Sequence, residues 1–339
     1  MLLGLAVLAA GLQLAGYDAV EALVALWSGA FGSWYALTSA TLVRSVPLII
    51  VGLGIALAFR GGALNIGAEG QFYAGAIAAT WVGLHVGAQP SWVAVPIVWL
   101  AAALAGTLWV ALPVWLKLRF SVLEVISTLL LNFVAEALVS LMVQGPLQEH
   151  QHIYPQSDSI AEVARLPLLP GTRLHAGFLL ALVGAVILWH IFARTLWGFR
   201  LRAVGVSARA AEISGKIDSR RMIALALAGS GALAGLAGGV EVTGVSYALF
   251  QNLSPGYGFS GIAVALLARL HPLGVVLSGI LLGALEAGAS GMQRDAGVPA
   301  VAVYVVEAVV ILVVLLADSG RLSGWARGFR VGRAVRMRR

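Results

Sequence analysis

The sequence predicts an all-α, polytopic membrane protein, and both its composition and its succession of long apolar runs predict this fold class. Of its 339 residues, 60% are hydrophobic and 11% are charged, and the mean hydropathy is +0.93. A soluble domain carries about 25% charged residues to solvate its surface. A transmembrane helix needs about 20 consecutive apolar residues. Runs of this kind recur along the whole chain, so about ten transmembrane helices are expected.

The apolar runs, taken in chain order, give the predicted spans. They are residues 2–26, 41–60, 70–88, 92–116, 120–143, 174–193, 222–246, 258–270, 273–290 and 299–317. We interpret the first span as a retained helix, because Met1–Ala15 lacks the basic start of a signal peptide. His271 and Pro272 separate the eighth span from the ninth, and these two form either separate helices or one kinked or re-entrant element.

The charges of the loops predict the orientation of the chain. The 22 basic residues are concentrated in segment 194–221, in the tail 318–339 and around Lys117. Lys and Arg accumulate in cytoplasmic loops, so both termini are expected to be cytoplasmic and segment 144–173 external. Residues 1–317 then form the transmembrane domain, followed by a basic cytoplasmic tail. No basic face is interleaved with stacking aromatic residues, so nucleic-acid binding is not expected.

A row of polar side chains marks the fifth span. Its members follow one another at four-residue spacing: Glu124, Thr128, Asn132, Glu136 and Ser140. Such a row winds slowly along one side of a helix. A charged residue near the bilayer centre costs about 2.5 kcal/mol or more, so the row is expected to face protein or water. It is either a wall of a translocation path or polar contact between helices.

Stretch 60–71 interrupts the apolar pattern with glycines, Asn65, Glu69 and Gln71. Irregular backbone at membrane depth is tolerated only where protein or a cavity satisfies it. This stretch is therefore a candidate substrate-facing break. Asn65 and Glu69 also suit the start of the following helix, where acceptors satisfy free N–H groups. The sequence is compatible with both interpretations.

Glycine spacing supports two further expectations. Gly67-x-x-Gly70 and Gly258-x-x-Gly261 each open a helix after an apolar span, which suggests two pseudo-repeated halves. The seventh span carries small residues at three- and four-residue spacing: Ala228, Gly231, Gly235 and Gly239. Small residues in this pattern predict close packing between helices.

The basic loop 194–221 contains the pattern of a short helix. Ser207 can cap a helix that runs to about Ser214, and Gly215 can end it. A helix lying along the membrane between two spans is suited to dock on a partner protein. The alternative is a plain cytoplasmic loop that only sets orientation.

Three absences limit the chemistry. A phosphate-binding loop needs Gly-Lys followed by Ser or Thr, whereas Gly215-Lys216 is followed by Ile217, so ATP hydrolysis is not expected in this chain. His150 and His152 beside Glu149 lack a closed ligand set, so no metal site is expected. Cysteine is absent, which excludes thiolate sites.

Several ordered motifs together resemble the permeases of ABC importers for nucleosides, simple sugars and branched-chain amino acids, from about Thr41 to Ala317. The motifs include Gly-Leu-Gly-Ile-Ala-Leu-Ala-Phe-Arg60, Asn65-Ile-Gly-Ala-Glu-Gly-Gln71, Glu124-Val-Ile-Ser-Thr-Leu-Leu-Leu-Asn132 and Gly261-Ile-Ala-Val-Ala-Leu-Leu267. The chain is most similar to the nucleoside-type branch. A simple sugar and then a branched-chain amino acid are the alternative substrates.

The resemblance also implies partners and site residues. The family has a coupling-helix pattern of the form Glu-Ala-Ala-x-x-x-Gly. Here its positions are Arg209, Ala210, Ala211, Glu212 and Gly215, with Arg in place of the first Glu. The implied assembly is a pair of permeases in a bacterial cytoplasmic membrane, with ATPase subunits that bind ATP-Mg and an extracytoplasmic substrate-binding protein. The second permease is expected to be a different, homologous chain, and a homodimer is the alternative.

The implied mechanism is alternating access driven by the ATPase, and the implied path residues are polar. They are Asn65, Glu69, Gln71, Glu124, Thr128, Asn132 and Glu136. Two other classes remain open. A secondary transporter or channel would need an essential ion site and no ATPase. A polytopic membrane enzyme would need a catalytic constellation, which the sequence does not show.

Overall fold

The computed structural model describes residues 9–14, 16–215, 217–299, 305 and 308. These residues form helices and connecting loops without a named strand, and two isolated bridges join Gln156 to Phe250 and Leu168 to His175. The predicted all-α class is therefore confirmed for the part of the chain described.

The helices are numbered here in chain order. They are α1 (Ala19–Phe31), α2 (Trp34–Arg60), α3 (Ala68–His85), α4 (Ser91–Phe120), α5 (Glu124–Val143), α6 (Gly177–Arg194), α7 (Leu196–Val206), α8 (Ala208–Gly215), α9 (Ser219–Ser246), α10 (Tyr257–Leu267) and α11 (Pro272–Asp295). A π-helical turn, Leu37–Thr41, lies within α2, and another, Val242–Ser246, ends α9.

Six of these helices are long and apolar enough to cross a membrane, namely α2, α4, α5, α6, α9 and α11. The chain is thus a multi-pass membrane protein. The described residues give six such helices where the sequence predicted ten spans. The predicted span 299–317 lies outside the described residues, apart from 305 and 308.

The chain divides into two compact units. One comprises Ser33–Ala284, and the other comprises Met1–Gly32 together with Leu285–Arg339. In the second unit, α1 packs closely on the end of α11, where a Cβ added at Gly29 would lie 2.9 Å from the Cα of Gly291.

The predicted first span, 2–26, is wrong as a single helix. Gly16 has φ +85°, and the chain turns before α1 begins at Ala19. The Asp18 carboxylate accepts hydrogen bonds from Val20 N at 2.8 Å and Glu21 N at 3.0 Å. The sequence did not predict this cap, because one polar residue in a long apolar run does not by itself indicate the start of a helix.

The predicted spans 258–270 and 273–290 are separate helices. Arg269 and Leu270 both have positive φ, and they reverse the chain between α10 and α11. With 11 residues, α10 is too short to cross a bilayer at 1.5 Å per residue.

In the larger unit α9 packs against α2, α3 and α4. The predicted small-residue packing is confirmed here. A Cβ added at Gly235 would lie 2.3 Å from Ala102 O, and one at Gly231 would lie 2.6 Å from Gly106 O. The glycines therefore let the backbones of α4 and α9 approach each other more closely than side chains would allow.

Candidate functional site

Residues 61–67 form a non-helical break between α2 and α3, and side chains of α5 hold it. Three side chains of α5 exchange hydrogen bonds with backbone groups of the break and of the first turn of α3. The bonds are Leu64 N to Glu124 Oε1 at 3.4 Å, Ile66 N to Thr128 Oγ1 at 3.4 Å, Asn132 Nδ2 to Ile66 O at 3.0 Å and Gly70 N to Asn132 Oδ1 at 2.8 Å. We call Glu124, Thr128 and Asn132 the polar ladder. All three are buried.

An ion pair lies at the N-terminal end of the polar ladder. Lys117 Nζ lies 2.5 Å from Glu124 Oε1. Lys117 belongs to the last turn of α4, and Ser121 with φ 56° ends that helix before α5 begins. The short turn between α4 and α5 therefore brings a cation to the first carboxylate of the ladder.

Asn65 and Gln71 form a reciprocal amide pair at the other side of the break. Asn65 Nδ2 donates to Gln71 Oε1 at 2.8 Å and to Ser230 Oγ at 2.9 Å. Gln71 Nε2 donates back to Asn65 Oδ1 at 3.0 Å. The exposed fraction is 0% for Asn65 and 1% for Gln71, so the pair ties the break to α9 inside the protein.

At the start of α3, Asn65 satisfies a free backbone N–H as predicted, whereas Glu69 lies in the first turn but bonds elsewhere. Gly67 occupies the N-cap position without a side-chain cap, and Asn65 Oδ1 accepts from Gly67 N at 3.0 Å. Glu69 Oε2 instead accepts from Gly258 N, at the start of α10, at 2.6 Å. The reason is close approach: a Cβ at Gly258 would lie 2.1 Å from Glu69 N. The two Gly-x-x-Gly segments thus meet where two helices begin.

Glu136 differs from the other predicted path residues because it is exposed. It lies about one turn beyond Asn132 on α5 and lines a small cavity of about 120 Å³. The cavity is bounded by Tyr73, Glu136, Val139, Ser140, Gln251 and Asn252. Gln251 Nε2 donates to Ser140 Oγ at 2.5 Å. The sequence row on α5 therefore splits into a buried part that bonds backbone and an outer part that faces a cavity.

Sequence reasoning missed Tyr73, Gln251 and Asn252. Residues 247–256 form a second non-helical break, between α9 and α10, and Asn252 has φ 58°. The signal was the polar and turn-forming stretch Gln251-Asn-Leu-Ser-Pro-Gly256 between two apolar runs. Tyr73 gave no signal, because an aromatic residue in an apolar helix is usual.

The segment between α5 and α6 runs along the second break and bonds to it. Ser157 N donates to Leu249 O at 2.8 Å, and Ile160 N donates to Tyr247 O at 2.8 Å. Leu249 N returns a bond to Ser157 Oγ at 2.9 Å. The position of Gln251 and Asn252 is thus fixed partly from this long connecting segment.

Glu149 lies in the same segment on the protein surface. Hydrogen bonds from Gln156 Nε2 and Tyr154 N lower the pKa of Glu149. Within the described residues, His150 contacts Asp158, and no group of three or more His, Asp or Glu side chains has the arrangement of a metal site.

The basic loop forms two helices, α7 and α8. Ala210 N donates to Ser207 Oγ at 3.3 Å, and α8 ends at Gly215, so the predicted short helix is present with its predicted bounds. Arg209, Ala210 and Glu212 are exposed, whereas Ala211 is buried. The loop also reaches the first break, since a Cβ at Gly205 would lie 2.0 Å from Arg60 O.

Broken helices that meet inside a bundle of apolar spans are typical of membrane transport proteins. The family described as "branched-chain amino acid transport system / permease component" matches residues 37–315. The chain therefore belongs to this family of permease components, which confirms the family resemblance of its motifs.

Three relatives illustrate the family. Over 321 residues, the chain is 40% identical to the guanosine ABC transporter permease protein NupP of Bacillus subtilis, covering 93% of this chain and 90% of the relative. It is 36% identical to the glucose ABC transporter permease protein TsgB13 of Haloferax volcanii, covering 94% and 86%. It is 28% identical to a second guanosine permease protein of B. subtilis, NupQ, covering 72% and 78%. No solved structure matches the chain.

Proposed function

We propose that this chain is the permease subunit of an ATP-binding-cassette importer for nucleosides in a bacterial cytoplasmic membrane. The observation that carries the substrate class is the 40% identity, over nearly all of both chains, to a permease protein named for guanosine. ATP hydrolysis is assigned to a separate ATPase that binds ATP-Mg, and this chain supplies the path across the membrane.

The proposed assembly has a second, homologous permease, two ATPase subunits and an extracytoplasmic substrate-binding protein. A heterodimer of permeases is favoured over a homodimer, because one Bacillus contains two guanosine permease proteins that both match this chain, at 40% and 28% identity.

The proposed topology has ten spans with both termini in the cytoplasm. It extends the six long apolar helices by α1, α3, the predicted span 299–317 and α10, which is too short to cross alone and would complete its span with the non-helical residues 247–256. Residues 1–317 form the permease domain, and the basic tail 318–339 lies at the cytoplasmic surface. The meeting of Gly67-x-x-Gly70 with Gly258-x-x-Gly261 supports two pseudo-repeated halves.

Coupling to the ATPase is assigned to α8. The docking face consists of its exposed residues Arg209, Ala210 and Glu212. The buried Ala211 and the terminal Gly215 determine the shape of the helix. A movement of α8 would be transmitted to the first break through Gly205, which packs against the carbonyl oxygen of Arg60 just before the break. Alternating access then opens the central path to one side and then to the other.

The substrate path is proposed to run beside the two breaks. Glu136 and the cavity next to it form the wall that a substrate touches. The other predicted path residues keep their place in the path, because their hydrogen bonds give its wall a fixed shape. They are Asn65, Glu69, Gln71, Glu124, Thr128 and Asn132. Irregular backbone is stable in a membrane only with partners of this kind.

A simple sugar is the second candidate substrate. It is supported by the 36% identity to a permease protein named for glucose, which also extends over nearly the whole chain. A nucleoside and a sugar share hydroxyl groups, so a single polar cavity suits either of them.

The test is uptake of labelled guanosine, ribose and glucose by cells that co-express this chain with its cognate ATPase, second permease and binding protein. Guanosine uptake that disappears when the ATPase is inactivated is the expected result. ATPase-dependent uptake of a sugar alone would keep the importer and replace the substrate. Uptake that is indifferent to the ATPase would favour a secondary transporter.

A further inference from the structure

The cavity beside Glu136 is a small polar site on a helix whose outer surface is otherwise apolar. Ile126, Leu130 and Phe133 on α5 are all more than half exposed, at 52%, 58% and 62%. A carboxylate that shared this surface with lipid would be strongly disfavoured. Glu136 is therefore expected to face water or a polar ligand in the assembled transporter.

The cavity combines regular and irregular backbone. Tyr73 comes from α3, Glu136 and Ser140 come from α5, and Gln251 and Asn252 come from the second break. Backbone breaks inside membrane transporters occur where they line a cavity, and they carry the groups that contact the substrate. The wall is also preorganised, since Gln251 is held by Ser140 and the break is bonded to Ser157 and Ile160.

We infer that Glu136 and Asn252 bind the vicinal hydroxyl groups of a ribonucleoside and that this contact determines the preference for ribose over deoxyribose. The inference rests on the proposed nucleoside import. An ionised carboxylate is an acceptor with two oxygens, so its partners are donors such as adjacent hydroxyls. A carboxylate serves ribose hydroxyls in the same way in dinucleotide-binding folds.

The lining of the cavity suits the hydroxyl edge of a sugar. The cavity has a volume of about 120 Å³, and all its lining side chains except Val139 are polar. The cavity thus accepts the edge of the ribose, while the buried Tyr73 forms its inner wall. The rest of the nucleoside extends through the open side of the cavity, past the exposed Glu136 and Asn252.

The experiment compares transport of guanosine and 2′-deoxyguanosine by the complete transporter at concentrations that saturate the same binding protein. The binding protein then delivers both nucleosides equally, and the ratio of the two transport rates reports on the preference of the permease. Glu136→Gln keeps the shape and removes the charge, and Asn252→Gly keeps the left-handed backbone and removes the amide. We expect each substitution to lower the guanosine preference about tenfold, mainly by slowing guanosine.

The matched control is Glu21→Gln, which neutralises an exposed carboxylate on α1 outside the cavity lining and should leave the ratio unchanged. Guanosine transport with an unchanged ratio in both Glu136→Gln and Asn252→Gly overturns the inference alone. Wild-type protein that shows no ATPase-dependent nucleoside transport overturns the proposed function and the inference together.

Discussion

At the scale of single residues, the buried polar side chains make more hydrogen bonds within the protein than their sequence pattern indicated. Asn65, Gln71 and Ser230 satisfy one another, and Asn132 uses both its oxygen and its nitrogen on backbone groups. A buried polar group without a partner costs about 1–3 kcal/mol. These residues are therefore predicted to affect stability first and transport second.

The Asn65–Gln71 pair gives a direct test of this interpretation. Asn65→Leu removes the partner of Gln71 and Ser230 and should lower the free energy of unfolding in detergent by about 2 kcal/mol. Gln71→Leu should have a similar effect, and the double substitution should cost clearly less than the sum, because neither amide is then left alone. Thermal unfolding of the four proteins measures the cycle. Strictly additive losses would contradict the reciprocal pair.

At the scale of helices, the glycines of α9 decide how closely α4 can approach. Gly235→Ala would bring a Cβ to 2.3 Å from Ala102 O, so the helices must separate. We expect a clear fall in the melting temperature in detergent. Gly184→Ala on α6 is the matched control, because its Cβ would meet only Leu53 Cδ1, at 3.6 Å, and Ala favours the helix by about 1 kcal/mol. Equal melting temperatures for the two variants would contradict the packing argument.

The helix α8 offers a second test at this scale. Ile213 is 76% exposed, which suits an apolar contact with the ATPase. Ile213→Asp should abolish co-purification of the ATPase and reduce ATP-driven uptake at least about tenfold, without changing the stability of the isolated permease. Leu196→Asp, which is 75% exposed at the start of α7, is the control in the same loop and should retain the ATPase. Loss of the ATPase in both variants would assign docking to the whole loop.

At the scale of the whole molecule, the orientation can be tested directly because the chain has no cysteine. Single cysteines at Ile213 and at Ile153, which is 64% exposed, report on the two sides of the membrane. A membrane-impermeant maleimide should label Ile153→Cys in intact spheroplasts and Ile213→Cys only after lysis. Labelling in the opposite pattern would invert the proposed topology.

The sequence predicted the long apolar helices and the short helix α8 because periodicity, capping residues and loop charge act locally. It did not predict the interruption near Asp18, because a single polar residue in an apolar run is compatible with a continuous helix as well as with a cap. It also placed Glu136 in one group with Glu124, because spacing along a helix cannot distinguish a residue that meets a neighbouring backbone from one that meets a cavity. Gln251 and Asn252 join Glu136 only through the fold.

The polar ladder has a consequence for how the first break can move. Its side chains repeat every four residues of α5, about 6 Å apart along the helix axis, and each bonds particular backbone groups. A slide of one or two ångströms would separate all of these bonds at once and would gain none in exchange. The break is therefore expected to shift between discrete positions, about one repeat of the polar ladder apart, rather than to slide gradually along α5.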